Sequence, residues 1–204
     1  RTFVDDTDKG QNGCTEDMSQ LKLIAAMQKK VPEILGGRID GDPIDIHSGI
    51  ASGPALVGTV GSAHHRNYTI MGDTVNLAAR IEGACKIYGV SLLVDEATRK
   101  DTKGILFREI DALRVKGRSE TVKVFEAMVF DPAPEPTQRL ARCFDTGLSA
   151  YRRGSIDEAV SAFQKCLEIE PQDGPSKVFL NRLDHLKNSP PPSDWDGVFD
   201  MLSK

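Results

Sequence analysis

Between Ser48 and Glu82 the chain sets glycine at positions 49, 53, 58, 61 and 72. A strand that only fills a core is weakened by glycine, so this stretch must turn sharply or let something approach its backbone closely. Taken alone, a bulged strand and tight turns account for these residues. The spacing matches neither G-x-G-x-x-G nor G-x-x-x-x-G-K-[ST], so a dinucleotide-binding turn and a P-loop are both unsupported.

The end of this stretch, Asn67-Tyr-Thr-Ile-Met-Gly-Asp-Thr-Val-Asn-Leu-Ala-Ala-Arg-Ile-Glu82, reads as a strand that passes through a Gly-Asp turn into a helix. Asp73 or Thr74 can cap that helix. Asn76 and Arg80 are four apart and share one helical face, where an amide and a guanidinium can point together at a phosphate ester. A solvated helix face carries such pairs as well.

Around this segment the pattern alternates between periods. A helix is predicted from about Asp17 to Val31, with Met18, Leu21, Ile24, Ala25 and Val31 on one face. A strand follows in which Ile44, Ile46, Ser48 and Ile50 point inward. Strand 67–71, helix 74–88, strand 91–94 and a short capped helix 95–100 come next. Three closing strands are expected near 106–110, 113–115 and 122–129. The result is an α+β or α/β layered domain.

Asp131-Pro-Ala-Pro-Glu-Pro136 interrupts this pattern and reads as a linker. Charge is nearly balanced before it and more acidic after it. Beyond the linker, residues 137–170 fit two helices broken at Arg153-Gly154-Ser155. Leu140, Phe144, Leu148 and Tyr151 face inward from the first, and Ile156, Ala159, Val160, Phe163 and Leu167 from the second. Gly147, Gly154, Ala159, Phe163, Cys166 and Pro171 resemble the positions of a tetratricopeptide repeat, of which one copy is visible. Residues 176–187 suit a third helix, and Trp195, Val198, Phe199 and Leu202 suit a docked tail. Such a hairpin buries too little alone, so this segment is expected to fold back on the rest of the chain or on a partner.

A net charge of −4 excludes the basic surface of a general nucleic-acid binder. Hydrophobic residues make up 39% of the chain and charged residues 27%, as in an ordinary globular protein, and no apolar run is long enough to cross a bilayer. Cys14, Cys85, Cys143 and Cys166 lie far apart without metal-ligand spacing, which suits a reducing cytoplasm. The chain opens without methionine or a secretory signal and reads as part of something longer, with any membrane anchor upstream.

Three ordered motifs resemble the catalytic domain of class III nucleotidyl cyclases over roughly residues 17–130. Ile46 to Ser62 is similar to that family's glycine-rich strand and turn, and Tyr68 to Glu82 to its most specific signature. Leu113-Arg-Val-Lys-Gly-Arg118 resembles its late lysine-glycine turn. The resemblance implies an α+β, ferredoxin-like fold at 1–130, the linker at 131–136 and a tetratricopeptide-like helical module at 137–204. It also implies an adenylate cyclase that converts ATP to 3′,5′-cyclic AMP and pyrophosphate. The site would lie at the interface with a second cyclase domain, most simply in a homodimer. Asn76 matches the asparagine that orients the ribose, and Arg80 the arginine that stabilises the pentavalent phosphorus. Thr69 falls where the family reads the base edge, favouring adenine. Lys116 matches the residue that holds the terminal phosphates.

The family holds two magnesium ions, or manganese, on a pair of aspartates borne by strands that precede the helix placed at 17–31. Residues 1–8 carry acids but read as a solvated acidic loop, as do Asp40, Asp42 and Asp45, so the metal ligands are expected outside this segment. His47, His64 and His65 read as structural. The alternative to the enzyme is a non-catalytic regulatory or interaction module derived from a cyclase, with the helical tail as its partner-binding element.

Overall fold

A computed structural model describes residues 3–5, 24, 38–39, 42–43, 45–62, 65–114, 121–130, 132–188, 195 and 197–200. These fall into two compact units, Arg1–Lys86 with Ser91–Lys103, and Ile87–Val90 with Gly104–Lys204. Strands and helices are mixed in an α+β arrangement.

In the first unit β1 (Phe3–Asp5), β4 (Ser48–Ser52) and β7 (Leu92–Asp95) lie parallel in the order β1–β4–β7. The acidic loop expected at residues 1–8 is therefore corrected in part. Phe3, Val4 and Asp5 pair with Ile50, Ala51 and Ser52. Two-residue strands β2 (Arg38–Ile39) and β3 (Asp42–Pro43) pair with each other, so Asp42 also lies in a strand. β5 (Leu56–Gly61) and β6 (Arg66–Met71) form an antiparallel hairpin. It leads through Gly72 into helix α1 (Asp73–Tyr88). Ile24 is helical and buried, and the rest of the helix expected at 17–31 lies outside the described residues.

The inward side of β4 is the opposite of the one expected. Gly49 and Ala51 are buried whereas Ser48 and Ile50 are half-buried, and Ile44 lies outside the described residues. Close approach of α1 is the reason, since a Cβ on Gly49 would sit 2.4 Å from the Ala78 carbonyl oxygen. Only the smallest residues fit on that side. α1 in turn buries Leu77, Ala78, Ile81, Ala84 and Cys85, and full burial of a leucine or isoleucine contributes about 1.5–3 kcal/mol. After β7, α2 (Glu96–Asp101) begins as expected, with the Asp95 carboxylate accepting from the Thr98 amide at 2.8 Å.

In the second unit β8 (Ile105–Arg114) and β9 (Thr121–Phe130) form an antiparallel pair. The first two of the three expected closing strands are thus one. Asp111 interrupts the apolar pattern and the register shifts between Glu109 and Asp111, yet the strand continues because the buried carboxylate finds partners. Helices α3 (Glu135–Arg152), α4 (Ile156–Ile169) and α5 (Gly174–Asn188) follow. Proline falls within the first turn of α3, where its missing N–H costs nothing. Leu140, Phe144, Leu148 and Tyr151 are buried on α3 as expected. On α4 the buried set is Ala159, Ala162, Phe163 and Cys166, whereas Ile156, Val160 and Leu167 are only half-buried. Phe179 of α5 completes the core, stacked on Phe163 with ring centroids 5.0 Å apart and edge-on to Phe144 and Tyr151.

The helical segment docks on β8 within this unit. Arg108 donates to Glu126 and to Asp173, Arg152 to Glu109, and Arg182 to Asp111. Burial works against the Arg108 charge, but Glu126 and Asp173 outweigh it and hold the guanidinium above its usual range. Trp195 packs edge-on against Tyr151 at 5.0 Å, and β10 (Phe199–Asp200) pairs in parallel with Leu113–Arg114. Leu202 lies outside the described residues.

Candidate active site

The β5–β6 hairpin and α1 present the side chains that the sequence singles out. Gly72, at φ +148, makes the turn between them, in a backbone region that side chains rarely adopt. Thr74 is buried and its hydroxyl donates to the Pro54 carbonyl at 2.9 Å. It ties the start of α1 to the loop after β4 instead of capping the helix. Asp73 lies in the first turn, where a negative charge complements the helix dipole.

With Leu77, Ala78 and Ile81 turned to the core, Asn76 and Arg80 stand exposed on the other side of α1. Their four-residue spacing puts them one turn apart on one face. Neither side chain has a hydrogen-bond or ion-pair partner among the described residues. A guanidinium beside an amide can donate hydrogen bonds to a phosphate ester.

Thr69 is half-buried in β6, directly opposite Gly58 in the hairpin register. Opposed residues share a side, and nothing lies within 4 Å of where a Gly58 Cβ would stand, so the flank of Thr69 is open. On the same side lie Leu56 and Met71, and on the other Tyr68 and Ile70. All four are exposed, Leu56 by 67% and Tyr68 by 77%. Lys116 lies outside the described residues.

Among the described residues no group of three or more His, Cys, Asp or Glu side chains is placed to hold a metal ion. His47 Nε2 lies 3.2 Å from Asp45 Oδ2, at the entry to β4. The His65 amide donates to Ser62 Oγ, and His64 lies outside the described residues. No described helix is long and apolar enough to cross a membrane.

Sequence reasoning missed the buried polar set that closes α1. The Tyr88 hydroxyl donates to Asp111 Oδ2 at 2.6 Å, and Arg182 donates to both residues. An aspartate in the middle of an apolar strand pattern was the available signal, though it does not reveal which residue answers it.

The family model of the adenylate and guanylate cyclase catalytic domain matches residues 8–127, and the chain belongs to that family. Its fold is thus the α+β, ferredoxin-like one of class III nucleotidyl cyclases. A terminal-differentiation-specific adenylate cyclase of Dictyostelium discoideum is 33% identical over 142 residues, 66% of this chain and 7% of that protein. Adenylate cyclase 1 of Rhizobium meliloti is 42% identical over 81 residues, 39% of this chain and 12% of that protein. The soluble guanylate cyclase subunit beta-2 of Rattus norvegicus is 26% identical over 174 residues, 76% of this chain and 25% of that protein. This chain therefore spans a small part of the relatives it matches.

Proposed function

We propose that residues 1–130 act as the catalytic part of an adenylate cyclase, converting ATP to 3′,5′-cyclic AMP and pyrophosphate. The observation that carries this reading is the exposed, unpartnered pair of Asn76 and Arg80 on one face of α1. During ring closure the ribose 3′-hydroxyl gives its proton to solvent, its oxygen bonds to the α-phosphorus, and the bond to the pyrophosphate oxygen breaks. Arg80 lowers the barrier by countering charge on the pentavalent phosphorus, and Asn76 orients the ribose. Thr69 meets the adenine edge, and Lys116 holds the departing phosphates as a point charge. Metal ions would come from donors other than the described residues.

A second cyclase domain, in a homodimer, is the proposed partner. The exposed Leu56, Tyr68, Ile70 and Met71 support it, since an apolar hairpin exposed on both sides suits a protein cover. The residues after 136 are read as a tetratricopeptide-like module attached to the catalytic part, and a cytoplasmic location suits the free thiols.

Steady-state kinetics of Arg80→Ala in the full-length protein test this reading. The expected result is a kcat lower by about 10²-fold or more with KM for ATP little changed, because the guanidinium acts on charge that develops in the transition state. A raised KM with kcat untouched would remove Arg80 from the chemistry.

A further inference from the structure

Cys143 on α3 and Cys166 on α4 meet across the helical hairpin, within the second unit. The Cys143 thiol donates to the Ala162 carbonyl at 3.3 Å, and Ala162 lies one turn before Cys166 on α4. One turn further along α3, at Gly147, the helices come so close that a Cβ would fall 2.8 Å from the Phe163 ring. Both cysteines are free thiols, Cys166 fully buried and Cys143 half-buried. Burial is the chief reason that the Cys166 thiol holds its proton up to about 12, and the neighbouring Cys143 thiol adds to it. Cys143 lines a groove of about 630 Å³ together with Arg139, Arg142, Lys165 and Glu168. It also lines a second groove, of about 600 Å³, on the side of Ser161.

A buried cysteine by itself is a small apolar filler. Packing does not ask for a second thiol set against it with an open approach from solvent. We propose that Cys143 and Cys166 form a peroxide-responsive pair, in which Cys143 is oxidised first and Cys166 resolves it to a disulfide that staples α3 to α4. In the first step the Cys143 sulfur attacks one oxygen of a hydroperoxide and the O–O bond breaks. The thiol proton leaves with the departing oxygen as water or an alcohol, and Cys143 becomes a sulfenic acid. The first groove sets three cations against one carboxylate, which suits a step that passes negative charge from sulfur to oxygen. In the second step the Cys166 sulfur bonds to the Cys143 sulfur, the S–O bond breaks, and the Cys166 proton leaves with the hydroxyl as water. Two thiols are oxidised by two electrons and one hydroperoxide is reduced by two. Because that proton travels with the hydroxyl, the buried thiol need not ionise beforehand. A reducing compartment returns the pair to thiols between exposures. The proposal stands apart from the cyclase reading, since it involves no nucleotide contact.

The test treats the full-length protein with hydrogen peroxide, blocks the remaining thiols with iodoacetamide in denaturant and maps the peptides without reduction. The expected product is a peptide pair joining Cys143 to Cys166 that dithiothreitol separates, with Cys85 still a thiol. In Cys143→Ser, Cys166 should stay reduced at the same dose, because peroxide does not reach it from solvent. In Cys166→Ala, Cys143 should accumulate as a sulfenic acid that dimedone captures. Hydrogen exchange of the α3 and α4 amides in the linked protein should slow about 10-fold, as a cross-link that limits opening requires, and recover on reduction. If Cys166→Ala does not fold, the wild-type peptide map decides. Wild-type Cys143 that proceeds to sulfinic acid, or that pairs with any thiol but Cys166, would overturn the pair. Unchanged or faster exchange in the linked protein would overturn the staple.

Discussion

Gly49 lies against the backbone of α1, where a methyl group on its Cα would fall 2.3 Å from the Glu82 nitrogen and 2.4 Å from the Ala78 oxygen. Neither neighbour is a side chain that can swing away. Gly49→Ala should therefore push α1 off β4, destabilise the fold by about 1–3 kcal/mol and lower turnover. Gly58→Ala, where nothing stands within 4 Å, should be close to neutral in stability. Urea denaturation of both variants checks the contrast.

Base preference should be modest. One hydroxyl facing a purine edge is worth about 1 kcal/mol, or roughly fivefold in kcat/KM, unless a buried partner is left unpaired. ATP should be preferred over GTP, and Thr69→Val should bring the two towards parity. Competition assays with both nucleotides measure the ratio, and an unchanged ratio in the valine variant would take Thr69 out of base reading.

Removing the residues after Phe130 should cost more than the loss of an appendage. Arg108 would lose Asp173 and Asp111 would lose Arg182, and breaking a buried pair costs about 3–5 kcal/mol. Two such losses approach the whole stability of a typical domain. The truncated chain should be insoluble or melt far below the parent, as a thermal shift assay would show.

The thiols should respond differently to alkylation. Burial pushes the Cys85 thiol from 9.0 up to about 12, and the Cys166 thiol to about 12 as well. Both stay protonated, hence unreactive, through pH 7–9, whereas the half-buried Cys143 is accessible. Mass spectrometry after iodoacetamide treatment of the native protein should find Cys143 labelled and Cys85 and Cys166 spared. Above about pH 9 the unfolded thiols ionise while the folded ones hold their protons, so the unfolded state binds fewer protons and stability falls as pH rises towards 12. Denaturation midpoints measured up to pH 10 should show that fall.

Much of this fold could be read from local pattern. α1, α4 and the Asp95 cap announce themselves through periodicity and capping chemistry, and Asn76 and Arg80 through an ordered motif. Pattern failed where the partner is remote. Asp111 looked like the gap between two strands because Arg182 answers it from 71 residues away. The side of β4 that meets α1 carries Gly49 and Ala51, whereas hydrophobicity pointed to Ile46 and Ile50. Small size, set by helix approach, outranked apolar character there.

Asp173 accepts from the Ser176 amide at the start of α5 and also from Arg108 on β8. Forming that helix turn and neutralising that strand are thus one event, which sets an order of assembly during synthesis. Arg108 leaves the ribosome 65 residues ahead of Asp173, and Asp111 leaves 71 ahead of Arg182, a gap of about 3–14 s at cellular elongation rates. Until then the nascent β8–β9 pair must keep both charges in water, and it cannot close its core before α5 arrives.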